Sequence, residues 1–493
     1  MRECGILLPI SSLPSAYGIG SFSKEAYEFV DFLEASGQQN WQILPLGPTG
    51  YGDSPYQSFS TFAGNPYYIN LDELAEEGLL TADECAQAVQ TGQPDKEVDY
   101  GFLYQSRSTI LHKAYGRFAQ KVPEEFEEFC RTAEWLEEYA LFMAIKSSQT
   151  GASWHAWPVP LRDREPAALQ RASIELADSL GFYKFEQFMF DRQWKRLKAY
   201  ANEKHIKIIG DIPIYVAFDS ADTWAAPQIF QFDALNTPMA VAGCPPDAFS
   251  KDGQLWGNPL YRWEYHKATG YAWWIHRIRH CFTLYDTVRV DHFRGFDEYY
   301  SIAYGAQTAI GGTWMPGPGR DLFDHMEQVL GALSIIAEDL GYVTESVTKL
   351  VQDTGYPGMK VLQFAFDERE PGNYLPYTYP QNSVIYTGTH DNDTIQGWFA
   401  ALRQQDRQLA LDYMRSWQRP LSQLHWDFIA LALQNVAKLC IIPMQDYLGL
   451  GSEARMNTPS TFGNNWKWRM SREDLTQELR QRIHAICSLY GRI

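Results

Sequence analysis

Thr287-Val288-Arg289-Val290-Asp291-His292-Phe293-Arg294-Gly295 is the stretch on which the fold turns. A short run rich in β-branched residues ends on an acid and passes straight into a polar, glycine-containing segment. Continuous runs of this length suit strands buried on both faces of a parallel sheet. Seven more runs of the same kind lie to either side: Gly5–Leu8, Trp41–Pro45, Ile206–Asp211, Ile335–Glu338, Met359–Phe364, Val384–Thr387 and Leu439–Met444. Most are flanked by helix-like segments. Ser23–Ser36 is one, with Ala26, Val30 and Leu33 on one face, Ser23 as N-cap and Gly37 as stop. Eight runs alternating with helices predict an α/β fold, a (β/α)8 TIM barrel.

The spacing of the runs predicts large insertions at the C-terminal ends of the strands. A stretch of 46–205, with helical acidic segments such as Glu124–Ile145, exceeds what one βα unit needs. A second insertion, 215–275, is rich in Pro, Gly and Trp and reads as a loop-rich subdomain at the active site. The expectation is a single catalytic barrel over 1–493 with these two insertions. After Pro443 the remaining residues are too few for an appended β-sandwich.

Composition narrows the function. The chain has 493 residues, 45% hydrophobic and 21% charged, an ordinary globular balance. A formal charge of −18 argues against nucleic acid and against an anionic membrane as partners. The seven cysteines form no CxxC pair, and no segment approaches the roughly 20 apolar residues of a membrane helix. Together with an N-terminus that fails as a secretory signal, this predicts a cytoplasmic protein. Aromatic residues make up 15%, with 16 tryptophans. Most must fill core, but aromatic faces beside polar groups are also what a sugar ring packs against.

Acids recur where the runs end: Asp211, Asp291 and Glu338, with Asp391 in the loop after the seventh. One such acid is equally well a helix N-cap or an arginine's partner. Four at the same end of one barrel converge on one mouth. Glycosidic cleavage with retention needs a nucleophilic carboxylate and a carboxylic acid about 5–5.5 Å away. Crowding of like charges and desolvation would keep the acid protonated. Arg289 lies two positions before Asp291, so strand alternation puts both on one face, where the cation would keep Asp291 ionised.

VRVDHFRG (288–295), IIAEDLG (335–341) and THDN (389–392) resemble the acid-bearing motifs of the α-amylase clan. YGDSPYQSFSTFAGNPYYI (51–69), GDIPIYV (210–216), PPDAFSKDGQLWGNPLY (245–261) and RMNTPSTFGNNWKWR (455–469) are more particular. They resemble the amylomaltase, or 4-α-glucanotransferase, family (glycoside hydrolase family 77), from Gly5 to about Arg469. The resemblance implies that Asp291 is the nucleophile, Glu338 the general acid and then base, and Asp391 the stabiliser of the transition state. It implies that His292 and His390 bind sugar hydroxyls, and that Asp211 is a structural and substrate-contacting acid. Ser54, Tyr56, Asp247, Gln254, Trp256, Asp367 and Asn457 would line the glucan groove. Tyr51, Phe366, Trp398 and Trp466 are equally well explained by core packing. The chain departs from some members at Ala248, where they carry tyrosine, which removes a stacking face on the acceptor side.

The implied reaction is transfer of an α-1,4-glucan segment to the 4-hydroxyl of an acceptor glucan. Its partners would be maltooligosaccharides, amylose, starch- or glycogen-derived glucans, and glucose as acceptor. The residues alone leave two alternatives, an α-amylase-type hydrolase and a non-catalytic glycan-binding protein. Residues 244–259, with Pro and Gly hinges and Phe249, form a candidate lid that would exclude water in favour of transfer. No HExxH motif and no phosphate-cradling loop occurs, so no metal and no organic cofactor are expected.

Overall fold

A computed structural model describes residues 2–50, 52–89, 96–246, 251–341, 343–367, 374–461 and 463–493. Among these residues twelve strands are formed. Eight close a parallel barrel in the order β1-β12-β11-β10-β9-β6-β3-β2. These are β1 (Glu3–Leu7), β2 (Asn40–Gln42), β3 (Lys207–Pro213), β6 (Thr287–Asp291), β9 (Ile335–Ala337), β10 (Gly358–Val361), β11 (Ser383–Tyr386) and β12 (Leu439–Pro443). Each expected run supplies one barrel strand. The other four, β4 (Ala240–Cys244), β5 (Gln254–Pro259), β7 (Glu298–Ala303) and β8 (Thr313–Pro316), make an antiparallel sheet in the order β5-β4-β7-β8.

The barrel interior is filled, as in other barrels of this size. Leu7, Ile209, Ile336, Met359, Val361, Val384, Tyr386 and Ile441 form one buried cluster inside the ring. The opposite faces of the same strands, such as Ile6, Ile208, Val288 and Ile442, join the outer core beneath the helices. The helix Lys24–Ala35 buries Ala26, Phe29, Val30 and Leu33 in that layer. Ser23 stands at its N-cap, but its hydroxyl donates to Glu25 at 2.6 Å and caps no backbone amide. Gly37 follows with φ +77°, a conformation that favours glycine.

Several expected boundaries move. The 124–145 segment splits into two helices, Glu124–Thr132 and Leu136–Ser148. The run at Met359–Phe364 is strand only to Val361, then a 3-10 turn over Leu362–Phe364. Within the loop-rich 215–275 stretch lie β4 and β5, which pair with each other. β7, from beyond that stretch, pairs with β4. The candidate lid is therefore in part a β-strand, Gln254–Pro259, fixed by a ladder to β4. Its Asp247, Ala248 and Phe249 lie outside the described residues, as does Tyr51.

Two features hold the barrel's N-terminal end. β1 pairs directly with β12, Glu3 opposite Leu439 through Leu7 opposite Pro443. Arg492, 1% exposed, donates to the carbonyl oxygens of Glu3, Ala432, Leu433, Asn435 and Ala437. One guanidinium thus satisfies carbonyls at the end of the Leu424–Gln434 helix and one on β1.

Candidate active site

The C-terminal ends of β3, β6, β9 and β11 place Asp211, Asp291, Glu338 and Asp391 around one mouth. β3 and β6 run in register, with Asp211 opposite Arg289. Both side chains turn into the barrel. Arg289, 3% exposed, donates from one terminal nitrogen to both oxygens of Asp211 (2.8 and 2.6 Å). Its other terminal nitrogen pairs with Asp291 at 2.8 Å, and Nε reaches Met359 Sδ at 3.3 Å. Asp211 is fully buried and also accepts the Tyr56 hydroxyl at 3.0 Å. Tyr56 then stacks on the His390 ring, centroids 5.2 Å apart, and Trp466 completes the group at 5.8 Å from Tyr56 and 5.9 Å from His390.

Glu338 follows β9 and accepts two backbone amides, His292 N–H and Leu340 N–H, each at 2.7 Å. That grip is made possible by His292, whose φ of +52° lies in the left-handed region. Burial, and then the neighbouring Asp291 carboxylate, push the Glu338 carboxyl up to about 8 in spite of those amides. Asp291 is also raised, because burial outweighs the pull of Arg289 and Asp211 and Asp391 add their charge. Arg289 alone therefore does not hold Asp291 below its ordinary range, contrary to the expectation from spacing. The contrast in environment survives, since Asp291 has a charge-assisted partner and Glu338 has none.

Asp391 has the opposite environment. Burial opposes its ionisation, but His390 Nε2 at 3.3 Å, Asn457 Nδ2 at 2.6 Å and the field of Arg289 hold its carboxyl well below the usual range. The His390 imidazole is raised in turn, Asp391 overcoming burial. The His292 ring has no such partner, and burial lowers it to about 3, so it is neutral. His292 Nε2 and His390 Nδ1 are buried without a hydrogen-bond partner. Trp256 of β5 meets the His292 ring edge-on, centroids 4.8 Å apart.

The structure thus brings together Asp211, Arg289, Asp291, His292, Glu338, His390, Asp391, Tyr56, Trp256 and Asn457. Gln254 lies one step out and accepts the Trp256 indole N–H at 3.0 Å. Ser54 sits behind Tyr56, its hydroxyl accepting the Tyr56 amide at 3.3 Å. Asp367 pairs with Arg403 at 3.3 Å, away from the acid cluster's own bonds. Asp247 is outside the described residues. Phe366 and Trp398 pack into core with Phe428, whereas Trp466 reaches the site through Tyr56 and His390.

Sequence reasoning missed three contributors. The Tyr386 hydroxyl donates to Gln42 Oε1 at 2.9 Å within the barrel interior, a polar pair close to Arg289 and Asp211. The signal for Gln42 was a polar residue inside an apolar run. The third is Arg455, whose guanidinium reaches the backbone of Asp391 at 2.7 Å. Among the described residues no group of three His, Cys, Asp or Glu could hold a metal, and no helix is long and apolar enough to cross a membrane.

A parallel barrel with a proton-retaining carboxyl beside an arginine-paired one at its C-terminal mouth defines a class, the enzymes that cleave and remake glycosidic bonds. The chain belongs to the 4-alpha-glucanotransferase family, glycoside hydrolase family 77, whose profile matches residues 8–476. It is similar to the 4-alpha-glucanotransferase of Clostridium butyricum, 46% identical over 98% of this chain and 99% of that one. It is also similar to that of Thermus thermophilus, 45% identical over 100% and 99%. The amylomaltase of Streptococcus agalactiae, solved in complex with acarbose, superposes with a TM-score of 0.97 at 41% identity, each chain covered completely. The activity of this chain is accordingly that of a 4-α-glucanotransferase, and the comparisons give no support to a hydrolase or a non-catalytic binder.

Proposed function

We propose that the chain transfers α-1,4-glucan segments by double displacement, with Asp291 as nucleophile and Glu338 as acid and then base. The observation that carries this reading is the Glu338 carboxyl, pushed up to about 8 next to the arginine-paired Asp291. In the first half-reaction Glu338 gives its proton to the glycosidic oxygen while Asp291 attacks the anomeric carbon. The glycosidic bond breaks, the leaving glucan departs with the proton, and a glycosyl–Asp291 ester remains. In the second half Glu338, now a carboxylate, takes the proton of an acceptor 4-hydroxyl as that oxygen displaces Asp291.

Asp391 stays ionised and stabilises positive charge at the sugar ring as the transition state forms. Neutral His292 offers buried Nε2 to a sugar hydroxyl, and the Trp256 and Tyr56 rings flank the cleft. Donors and acceptors are maltooligosaccharides and the glucans of starch or glycogen, with glucose as the smallest acceptor. All seven cysteines are free thiols, in keeping with a cytoplasmic site of action.

Incubation with maltotriose tests the reading. Glucose and a ladder of longer oligosaccharides are expected, and Asp291→Asn is expected to abolish both while retaining glucan binding. Wild-type turnover by the Asn variant would remove Asp291 from the nucleophile's role. Rising reducing ends without longer products would assign hydrolysis instead.

A further inference from the structure

We propose that Arg455 is a positioning residue for glucan transfer, clamping the loop after β11 to the segment after β12 so that Asp391 and Asn457 meet the sugar as one unit. This inference rests on the reading of Asp391 given above.

Three hydrogen bonds join the two segments, and a fourth braces the second of them. The Asn457 amide N–H donates to His390 O at 3.0 Å, and Asn457 Nδ2 donates to Asp391 Oδ1 at 2.6 Å. Arg455 supplies the others, from a terminal nitrogen to Asp391 O at 2.7 Å and from Nε to Asn457 O at 2.8 Å. Its fork therefore grips the backbone of both residues whose side chains form the 2.6 Å contact. Two carbonyls held by one rigid, planar group have a fixed separation, which a flexible ammonium on a single stem does not reproduce.

The need for such a clamp follows from charge. Asp391 stands close enough to Asp291 for the two carboxylates to repel one another. It is carried on a loop, not on the ladder, since β11 ends at Tyr386. Side chains on loops keep productive geometry only when their own backbone is tied down, and a misplacement of about 1 Å can cost about 100-fold in rate. Arg455 is partly exposed and touches Asp391 through the main chain only, so it supports the reacting groups without facing them.

The test compares the full chain with Arg455→Ala, Arg455→Lys and Asp391→Asn on maltotriose, with thermal melts of each. Arg455→Ala is expected to melt near the parent, lose about 10- to 100-fold in kcat with KM within about threefold, and regain activity severalfold in about 20 mM guanidinium chloride. Arg455→Lys is expected to lose at least about fivefold, and it serves in place of the alanine variant should that fail to fold. A folded Arg455→Ala or Arg455→Lys with parental kcat overturns the inference, as does a loss in the alanine variant that guanidinium does not relieve. If Asp391→Asn itself keeps parental activity, the role of Asp391 falls first and that of Arg455 with it. An inactive Asp391→Asn beside an unimpaired Arg455 variant sinks the clamp alone.

Discussion

Replacing Arg289 with methionine removes the one cation bonded to both Asp211 and Asp291. Asp211 is fully buried and would keep only the neutral Tyr56 hydroxyl at 3.0 Å. Breaking one side of a buried pair costs about 3–5 kcal/mol, because the surviving charge has left water without compensation. Asp291 adds less, since 30% of its side chain faces the open mouth. With an unfolding entropy of about 2.1 cal/mol/K per residue, a chain of 493 residues has about 1 kcal/mol per degree at its midpoint. The melting temperature of Arg289→Met should therefore fall by about 3–5 °C. The double variant Arg289→Met with Asp211→Asn puts a neutral group of the same shape beside Tyr56, and should recover at least half of that fall. Transfer should remain deficient in both variants, with the acid limb of activity moved to higher pH, because Asp291 has lost the charge that favoured its ionised form. Differential scanning fluorimetry and a maltotriose assay over pH 4–9 read these outcomes. A single variant that melts within about 1 °C of the parent, or a double variant no more stable than the single, would refute the reasoning.

Three further outcomes are expected. Glu338 has a folded value of about 8 against an ordinary 4.5, so between those pH values the unfolded chain releases a proton that the folded one keeps. Stability from this group is complete below about 4.5 and is lost as pH rises to about 8; Glu338→Gln should therefore gain on the parent in melts at pH 8 relative to pH 5, while parental transfer falls above about pH 8. At Gly210 an added Cβ would stand 2.2 Å from the Tyr285 ring, so Gly210→Ala should cost at least about 1–3 kcal/mol in denaturant unfolding by displacing the strand that carries Asp211. Arg492→Ala removes a donor from five carbonyls, of which Leu433 and Asn435 keep Arg2 and Ala432 keeps the Asn435 amide, and should destabilise by about 2 kcal/mol, read as faster hydrogen exchange at the end of the Leu424–Gln434 helix.

The barrel was legible because each strand is a compact apolar run bounded by polar or Gly/Pro-rich stretches, and the acids because they follow those runs directly. What stayed hidden was set by neighbours. β10 stops at Val361 because its partner β11 stops at Tyr386, and an apolar residue such as Leu362 carries no mark of that. Ser23 looks like any capping serine, yet its hydroxyl donates to Glu25, two residues on, and not to the helix. The small sheet draws β4 and β5 from one part of the chain and β7 and β8 from another, so no local pattern announces it. Within the site, the two-position spacing of Arg289 and Asp291 disclosed a shared face. It did not disclose that the same guanidinium holds Asp211 more fully, nor that burial would outweigh it at Asp291. Arg455 and Asn457 have that same two-position spacing, and a search for paired arginine and amide side chains would have raised them.

The seam between β1 and β12 has a consequence on the ribosome. Glu3 is made before its partner Leu439, which follows 436 residues later. At about 5–20 residues per second, β1 waits roughly 20–90 s with one edge bare. The nascent barrel is an open, curling sheet throughout that interval, and an uncovered strand edge invites pairing with other chains. Polysomes crowd such edges together, so holdase chaperones acting on nascent chains should matter more to the yield of this protein than the stability of its finished form.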